Sequence, residues 1–306
     1  LAVCLVLLAG SAAARETLTV AHDQWVGYSG FFVAQAQGYF AQEGLDVKEV
    51  DFSGPGDSLP PLVAGHVDVA LTTLYNLALL AGKGERSVVA IWLLDSSNGA
   101  DAVLGGPGIS TMAQLKGHKV AATTGEVNHL LLLKGLESAG LRESDIQLVN
   151  LNADDAGAAL LAGRVDAAVT WEPWVSRARE TGDAVIYSSA QVPNLIMDAV
   201  VVQEQTLRTR AATLKRFLRA LDRGLGQLRE HPEQAQAQVA KALDMAPGDV
   251  PRMLAGDHLY SAQENHRILA PAGDAALDAV GQFLLGHRLI DRPLQRTGLL
   301  NGQVLP

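Results

Sequence analysis

Leu160-Leu-Ala-Gly-Arg-Val-Asp-Ala-Ala-Val-Thr-Trp-Glu-Pro-Trp174 decides how this chain folds. Its first residues read as a helix end, and Gly163 stops that helix because glycine tolerates the left-handed conformation that follows one. Val165 to Val169 is a short apolar strand, and Thr170 to Trp174 is the loop at its carboxyl end, with Pro173 suited to the first turn of a next helix. In open α/β sheets, ligands bind just outside the carboxyl ends of strands. The stretch therefore marks a place to expect a pocket.

It also has an echo. Leu62-Val-Ala-Gly-His-Val-Asp-Val-Ala-Leu-Thr72 matches Leu160 to Thr170 at seven of eleven positions, ninety-eight residues earlier. Two copies are too few for a solenoid, but they suit two related βαβαβ lobes facing each other across a cleft. The repeated acids Asp68 and Asp166 precede an apolar strand in both copies, which points to structural hydrogen bonds.

The rest of the chain fits that frame. In the first lobe Thr17 to Ala21, Leu45 to Phe52 and Val67 to Leu71 read as strands, with helical spacing from Phe31 to Gln42 and a helix capped by Thr72-Thr73. Val88 to Leu94 is a strongly apolar strand, and Asp95 to Asp101 holds the crossover. Lys119 to Ala122, the helix Asn128 to Ala139, Ile146 to Leu151 and Asp183 to Ser188 repeat the pattern. Asn194 to Val202 returns to the first lobe, and beyond Leu207 the sequence reads as helices only (211–229, 232–243 and 273–287). The expected lobes are 15–98 with 199–306, and 99–198.

Composition narrows the function. The 306 residues suffice for two buried cores, and a net charge of −9 without a basic cluster argues against nucleic acid or an anionic membrane as partner. Leu1 to Gly10 is apolar, and Ser11-Ala-Ala-Ala14 has the small residues of a cleavage signal, so a signal peptide over 1–14 and export are expected. Cys4 is the one cysteine and is followed by more apolar residues, unlike a lipid-modified cysteine; the mature chain would carry no thiol. Scattered histidines lack zinc spacing, and no P-loop, dinucleotide fingerprint or Gly-x-Ser-x-Gly occurs. No metal, no cofactor and no catalytic residue is expected.

Four further features occur in order: a first strand leading to Trp25-Val-Gly27, the helix close Gly38-Tyr-Phe-Ala-Gln-Glu-Gly-Leu45, two Ala-Gly-x-Val-Asp units, and Thr170-Trp-Glu-Pro173. Together they resemble the substrate-binding proteins of ABC importers of the nitrate, sulfonate and taurine type, a group that includes thiamine-pyrimidine binders. The proline of that family's Trp-x-Gly-x-x-Pro is absent here. The resemblance implies an α/β periplasmic binding protein, a two-lobed Venus flytrap with extra C-terminal helices on lobe one. It would be a monomer in the periplasm that closes on a small molecule and delivers it to permease subunits.

By the same analogy, ligand contacts fall at Asp23, Gln24, Trp25, Tyr28, Gly54, Thr72, Thr73, Asn98, Asp101, Thr123, Thr124, Gly125, Glu126, Trp171 and Glu172. The threonines precede helices, where free N–H groups and the dipole would hold an anion, or they serve only as caps. Trp25 and Trp171 are the expected ligand walls; Trp92 and Trp174 read as packing. Asp23, Asp101, Glu126 and Glu172 bring no Arg or Lys with them, which opposes a bare anion and favours an amine, guanidinium, aminopyrimidine or zwitterion such as taurine. Solvent-facing caps are the competing reading for Asp23 and Glu126, and Glu172, between two tryptophans, is the acid most expected at the ligand. A sensing module for a membrane receptor and a pyrimidine-synthase-like enzyme are the alternatives. The enzyme would need a cysteine-rich iron motif that this chain lacks.

Overall fold

The computed structural model describes residues 14–306, so the expected signal peptide and Cys4 lie outside the described residues except for Ala14. Eleven strands follow in order: β1 (Glu16–His22), β2 (Leu45–Asp51), β3 (Val69–Thr73), β4 (Val88–Ser97), β5 (Asp101–Gly105), β6 (Lys119–Ala122), β7 (Gln147–Asn150), β8 (Ala167–Trp171), β9 (Ala184–Ser188), β10 (Met197–Gln203) and β11 (Asp257–Leu259). They form two mixed sheets, in the orders β11-β4-β10-β3-β1-β2 and β7-β6-β8-β5-β9. In each, the first strand of a βαβαβ unit sits between the second and third, all three parallel. Antiparallel β10, β4 and β11 extend one sheet, and β5 and β9 the other.

The repeat has a physical purpose at each acid. Asp68 accepts from the backbone N–H of Thr19 at 2.8 Å, and Asp166 accepts from that of Lys119, also at 2.8 Å. Each carboxylate thus satisfies a backbone N–H, in the middle of β1 or at the start of β6, next to the strand that its own segment becomes. The repeated threonines match as well. Thr72 donates its hydroxyl to the Pro55 carbonyl at 2.6 Å and Thr170 donates to Ala153 at 2.7 Å, in both cases a residue seventeen positions earlier. Leu-x-Ala-Gly-x-Val-Asp-x-Ala-x-Thr is therefore a structural cassette that fastens a helix and a strand to the strand beside them.

The C-terminal helices pack on the first sheet's side. Ala211–Glu230 crosses Ser29–Ala36 so closely that a Cβ on Gly224 would stand 2.0 Å from the Gly30 carbonyl oxygen. Phe217 stacks on Phe40 there, with ring centroids 5.1 Å apart. Ala262–Gly286 begins earlier than the sequence pattern suggests and carries Pro271 inside it. By length and composition it could cross a membrane, but Leu277, Val280 and Leu284 are buried and the helix packs on Leu74–Gly82 and β4. The expectation of helices only beyond Leu207 fails at β11. Three residues pairing at a sheet edge show no periodicity of their own; the exposed edge of β4 recruits them.

Two chain crossings join the sheets, between β4 and β5 and between β9 and β10. There the Ser97 and Ser189 hydroxyls lie 2.8 Å apart, and Ser189 Oγ accepts from the Gly99 N–H at 2.7 Å.

Candidate functional site

The carboxyl ends of the parallel strands of both sheets converge on one small cavity of about 20 Å³. Asp23, Trp25 and Tyr28, after β1, line it together with Thr73 and Asp198 from the first sheet and Asp101 and Trp171 from the second. Register explains the grouping. Asp101 lies opposite Trp171 on β5 and β8, and Asp198 lies opposite both Thr73 and Asp95, so each set shares one face. Trp25 and Trp171 meet across the cavity, with ring centroids 6.2 Å apart and planes tilted by 55°. Trp25 also donates its Nε1–H to Asp95 Oδ2 at 3.1 Å. Gly27 makes that bond possible, because a Cβ there would stand 1.8 Å from the same oxygen.

The electrostatics are one-sided. Asp23, Asp95, Asp101 and Asp198 are all buried, and Asp257 at the start of β11 has two buried carboxylate oxygens without a partner. Burial raises every one of these acids. Asp23 moves to about 7, Asp101 to about 6 and Asp257 to about 8, while Asp95 and Asp198 rise well above the usual range because burial and repulsion from the surrounding acids add together. Tyr28 is pushed up by burial and by Asp198 and Asp23. No Lys or Arg lines the cavity. Among the described residues, no group of three His, Cys, Asp or Glu side chains is placed to hold a metal.

The remaining sequence-derived positions divide. Thr73 lines the cavity, but its hydroxyl accepts from the Asn76 N–H at 3.0 Å and donates to Asn76 Oδ1 at 2.6 Å. The Thr124 N–H donates to Asn150 at 2.9 Å and the Gly125 N–H to His129 at 3.3 Å. The donors expected to cradle an anion are thus already engaged, as is the Thr72 hydroxyl. Gln24 and Asn98 are exposed, and Gln24 donates to Asp51. Gly54 and Thr123 do not line the cavity.

Of the four acids expected at the ligand, Asp23 and Asp101 line the cavity and Glu126 and Glu172 do not. Asp23 is not a solvent-facing cap; it is 3% exposed. Glu126 is pushed up to about 6 by burial and accepts from Asn76 Nδ2 at 2.6 Å, which ties the helix after β3 to the loop after β6. A Cβ on Gly56 would stand 2.1 Å from Glu126 Oε1, so this contact also needs a glycine opposite it. Glu172 turns away to cap the helix Trp174–Thr181, accepting from the Ser176 N–H at 2.9 Å and hydroxyl at 3.0 Å. Trp92 is fully buried, and Trp174 donates to Asp154 at 2.8 Å, so both pack as the sequence suggests.

Sequence reasoning missed Asp95, Asp198 and Asp257. Asp198 had a usable signal: it stands alone inside Leu195-Ile-Met-Asp-Ala-Val-Val-Val202, and a lone acid in a buried apolar strand needs a partner or a task. Asp95 ends an equally apolar run. Asp257 offered no signal, since its strand was not legible.

The two mixed sheets flanked by helices are the α/β fold of the periplasmic binding proteins. The chain belongs to the NMT1/THI5-like family of periplasmic binding proteins, whose model matches residues 25–235. It is 29% identical over 203 residues to an Escherichia coli protein named "Putative aliphatic sulfonates-binding protein", covering 66% of this chain and 59% of that one. It is 26% identical over 265 residues to the taurine-binding periplasmic protein of Escherichia coli, covering 82% and 81%. It is 29% identical over 171 residues to the formylaminopyrimidine-binding protein of Halalkalibacterium halodurans, covering 55% and 52%. The fold matches the alkanesulfonate-binding protein SsuA from Xanthomonas axonopodis pv. citri bound to MOPS, with a TM-score of 0.78, 20% identity and coverage of 94% and 99%.

Proposed function

We propose that this chain is the solute-binding component of an ABC import system. It captures a small organic nutrient bearing a cationic or zwitterionic nitrogen (an amine, guanidinium, aminopyrimidine or taurine-like compound) and hands it to permease subunits. Residues 15–98 with 199–306 form one lobe and 99–198 the other, closing about the two chain crossings. One observation carries the reading: Asp23, Asp101 and Asp198 line the cavity beside two indoles, with no basic side chain to neutralise them. Carboxylates and aromatic faces recognise positively charged nitrogen, and a bare anion there would meet like charge. The formylaminopyrimidine-binding relative supports the nitrogenous ligand, while the taurine-binding relative supports the zwitterion. Among the described residues, no Ser, Cys, Lys or His lines the cavity beside those acids, so binding without turnover is the reading favoured over an enzyme.

A thermal-shift screen with taurine, ethanesulfonate, nitrate, choline, 1,4-diaminobutane, methylguanidinium and 4-amino-2-methylpyrimidine tests it. Ligand at a hundred times its Kd adds roughly 2.7 kcal/mol, enough to raise the melting temperature measurably. Cationic or zwitterionic members should stabilise the protein, and Trp171→Ala should abolish the effect. Stabilisation by ethanesulfonate and nitrate alone would refute the nitrogen requirement.

A further inference from the structure

The acids behind the cavity wall are more than its lining. Asp198 Oδ1, Asp23 Oδ1 and the Tyr28 hydroxyl are buried without any hydrogen-bond partner, although all three residues border the cavity. Asp95, opposite Asp198 on the neighbouring strand, has one oxygen held by Trp25 and the other unpartnered. Unpaired buried polar groups are costly, and here they face one space that a donor could enter. The Tyr28 hydroxyl lies beside Asp23 and adds a neutral polar group to the same space.

We propose that the floor of the cleft is a cation subsite in which Asp198 and Asp23, with the Tyr28 hydroxyl, hold a protonated amine or amidine nitrogen, and Asp95, opposite Asp198 on β4, is the positioning residue whose carboxyl crowds it. This rests on the reading of the cleft as the solute site and adds which residues read the charge. The surroundings exclude an internal counter-ion. Asp198 faces Asp95 on β4, Asp257 on β11, Asp23 and Tyr28 after β1, and Asp101 on β5. The one basic group acting on Asp23 is His22, which is held at 3.3 Å from Glu49 and 3.9 Å from Asp51. Crowded carboxyls retain protons while the subsite is unoccupied. An arriving cation favours the ionised form, so a carboxyl proton passes to the buffer as the nitrogen docks.

The test uses the whole mature protein with methylguanidinium and 1,4-diaminobutane, against their neutral isosteres methylurea and 1,4-butanediol. Binding is read by tryptophan fluorescence, since Trp25 touches Asp95, and by calorimetry at pH 7 in two buffers of different ionisation heat. The cationic probes should bind at least tenfold more tightly than the isosteres, and their heats should differ between buffers. Asp198→Asn should cut cation affinity tenfold or more, and the exposed control Asp46→Asn should not. Asp95→Asn, the second variant should Asp198→Asn fail to fold, should shrink the buffer-dependent heat while the probe still binds. Equal binding of neutral isosteres, heats that are the same in both buffers, or unchanged affinity in Asp198→Asn would overturn the subsite. Failure of both cationic probes while taurine still stabilises the protein would overturn it too, and would leave the solute-binding reading standing. Small-angle scattering separates the other case: cation binding without compaction counts against the solute-binding reading and not against the subsite.

Discussion

Asp23→Asn turns the electrostatics of the cleft into a stability measurement. Burial holds the Asp23 carboxyl near 7, against 3.8 in an unstructured chain, so between those values the folded protein binds a proton that the unfolded chain has lost. Stability must therefore fall as pH rises through that window, the reverse of a salt-bridged aspartate. Linkage with those two values gives a loss of roughly 2–3 kcal/mol between pH 5 and pH 8 from this group. Asparagine has nearly the same shape and no charge, so the variant should lack that contribution. For a chain of this size the difference amounts to about 4 °C in melting temperature. The assay is a pair of thermal or urea melts at pH 5 and pH 8 without ligand. Wild type should lose more stability than Asp23→Asn over that interval, and the variant should be the more stable protein at pH 8. An identical pH dependence in the two proteins would refute the buried, protonated Asp23, and a variant less stable at pH 8 would imply a counter-charge the structure does not contain.

Trp25→Phe keeps the aromatic wall but strips Asp95 of its one side-chain donor, at 3.1 Å, and should destabilise the protein by about 1–3 kcal/mol in a urea melt. Glu172→Gln weakens the cap on Trp174–Thr181 and should cost about 1 kcal/mol of stability while leaving ligand affinity unchanged by calorimetry; a large affinity loss would put Glu172 back at the ligand. Gly56→Ala drives a methyl group against Glu126 and Asn76, whose bond ties the two sides of the cleft. It should weaken closure by about 1 kcal/mol, roughly a fivefold loss of affinity with little change in the ligand-free melt. Equal affinity in that variant would show that the Asn76–Glu126 contact does not favour closure.

Much of this protein can be read along the chain. The cassette ending at Thr72 and Thr170 announces two related units because its demands are local: a glycine to end the helix, apolar residues to fill the strand, an acid and a threonine at set distances from backbone groups that need them. Trp25, Tyr28 and Trp171 were legible as cavity walls for a similar reason, since strand-end loops are where such folds leave space. What no single stretch reveals is which side chain meets which. Glu172 sits between two tryptophans in sequence yet caps the helix that follows, because the Ser176 N–H at that helix's start is a nearer partner than the cleft. Asp95, Asp198 and Asp257 lie far apart in the chain. They become neighbours only because β10 inserts antiparallel between β3 and β4 and β11 adds to the edge. Charge repulsion acts through space and not along the chain, so the crowding of Asp95, Asp198 and Asp257 behind the acids that the sequence already places at the cleft is a property that only the tertiary structure decides.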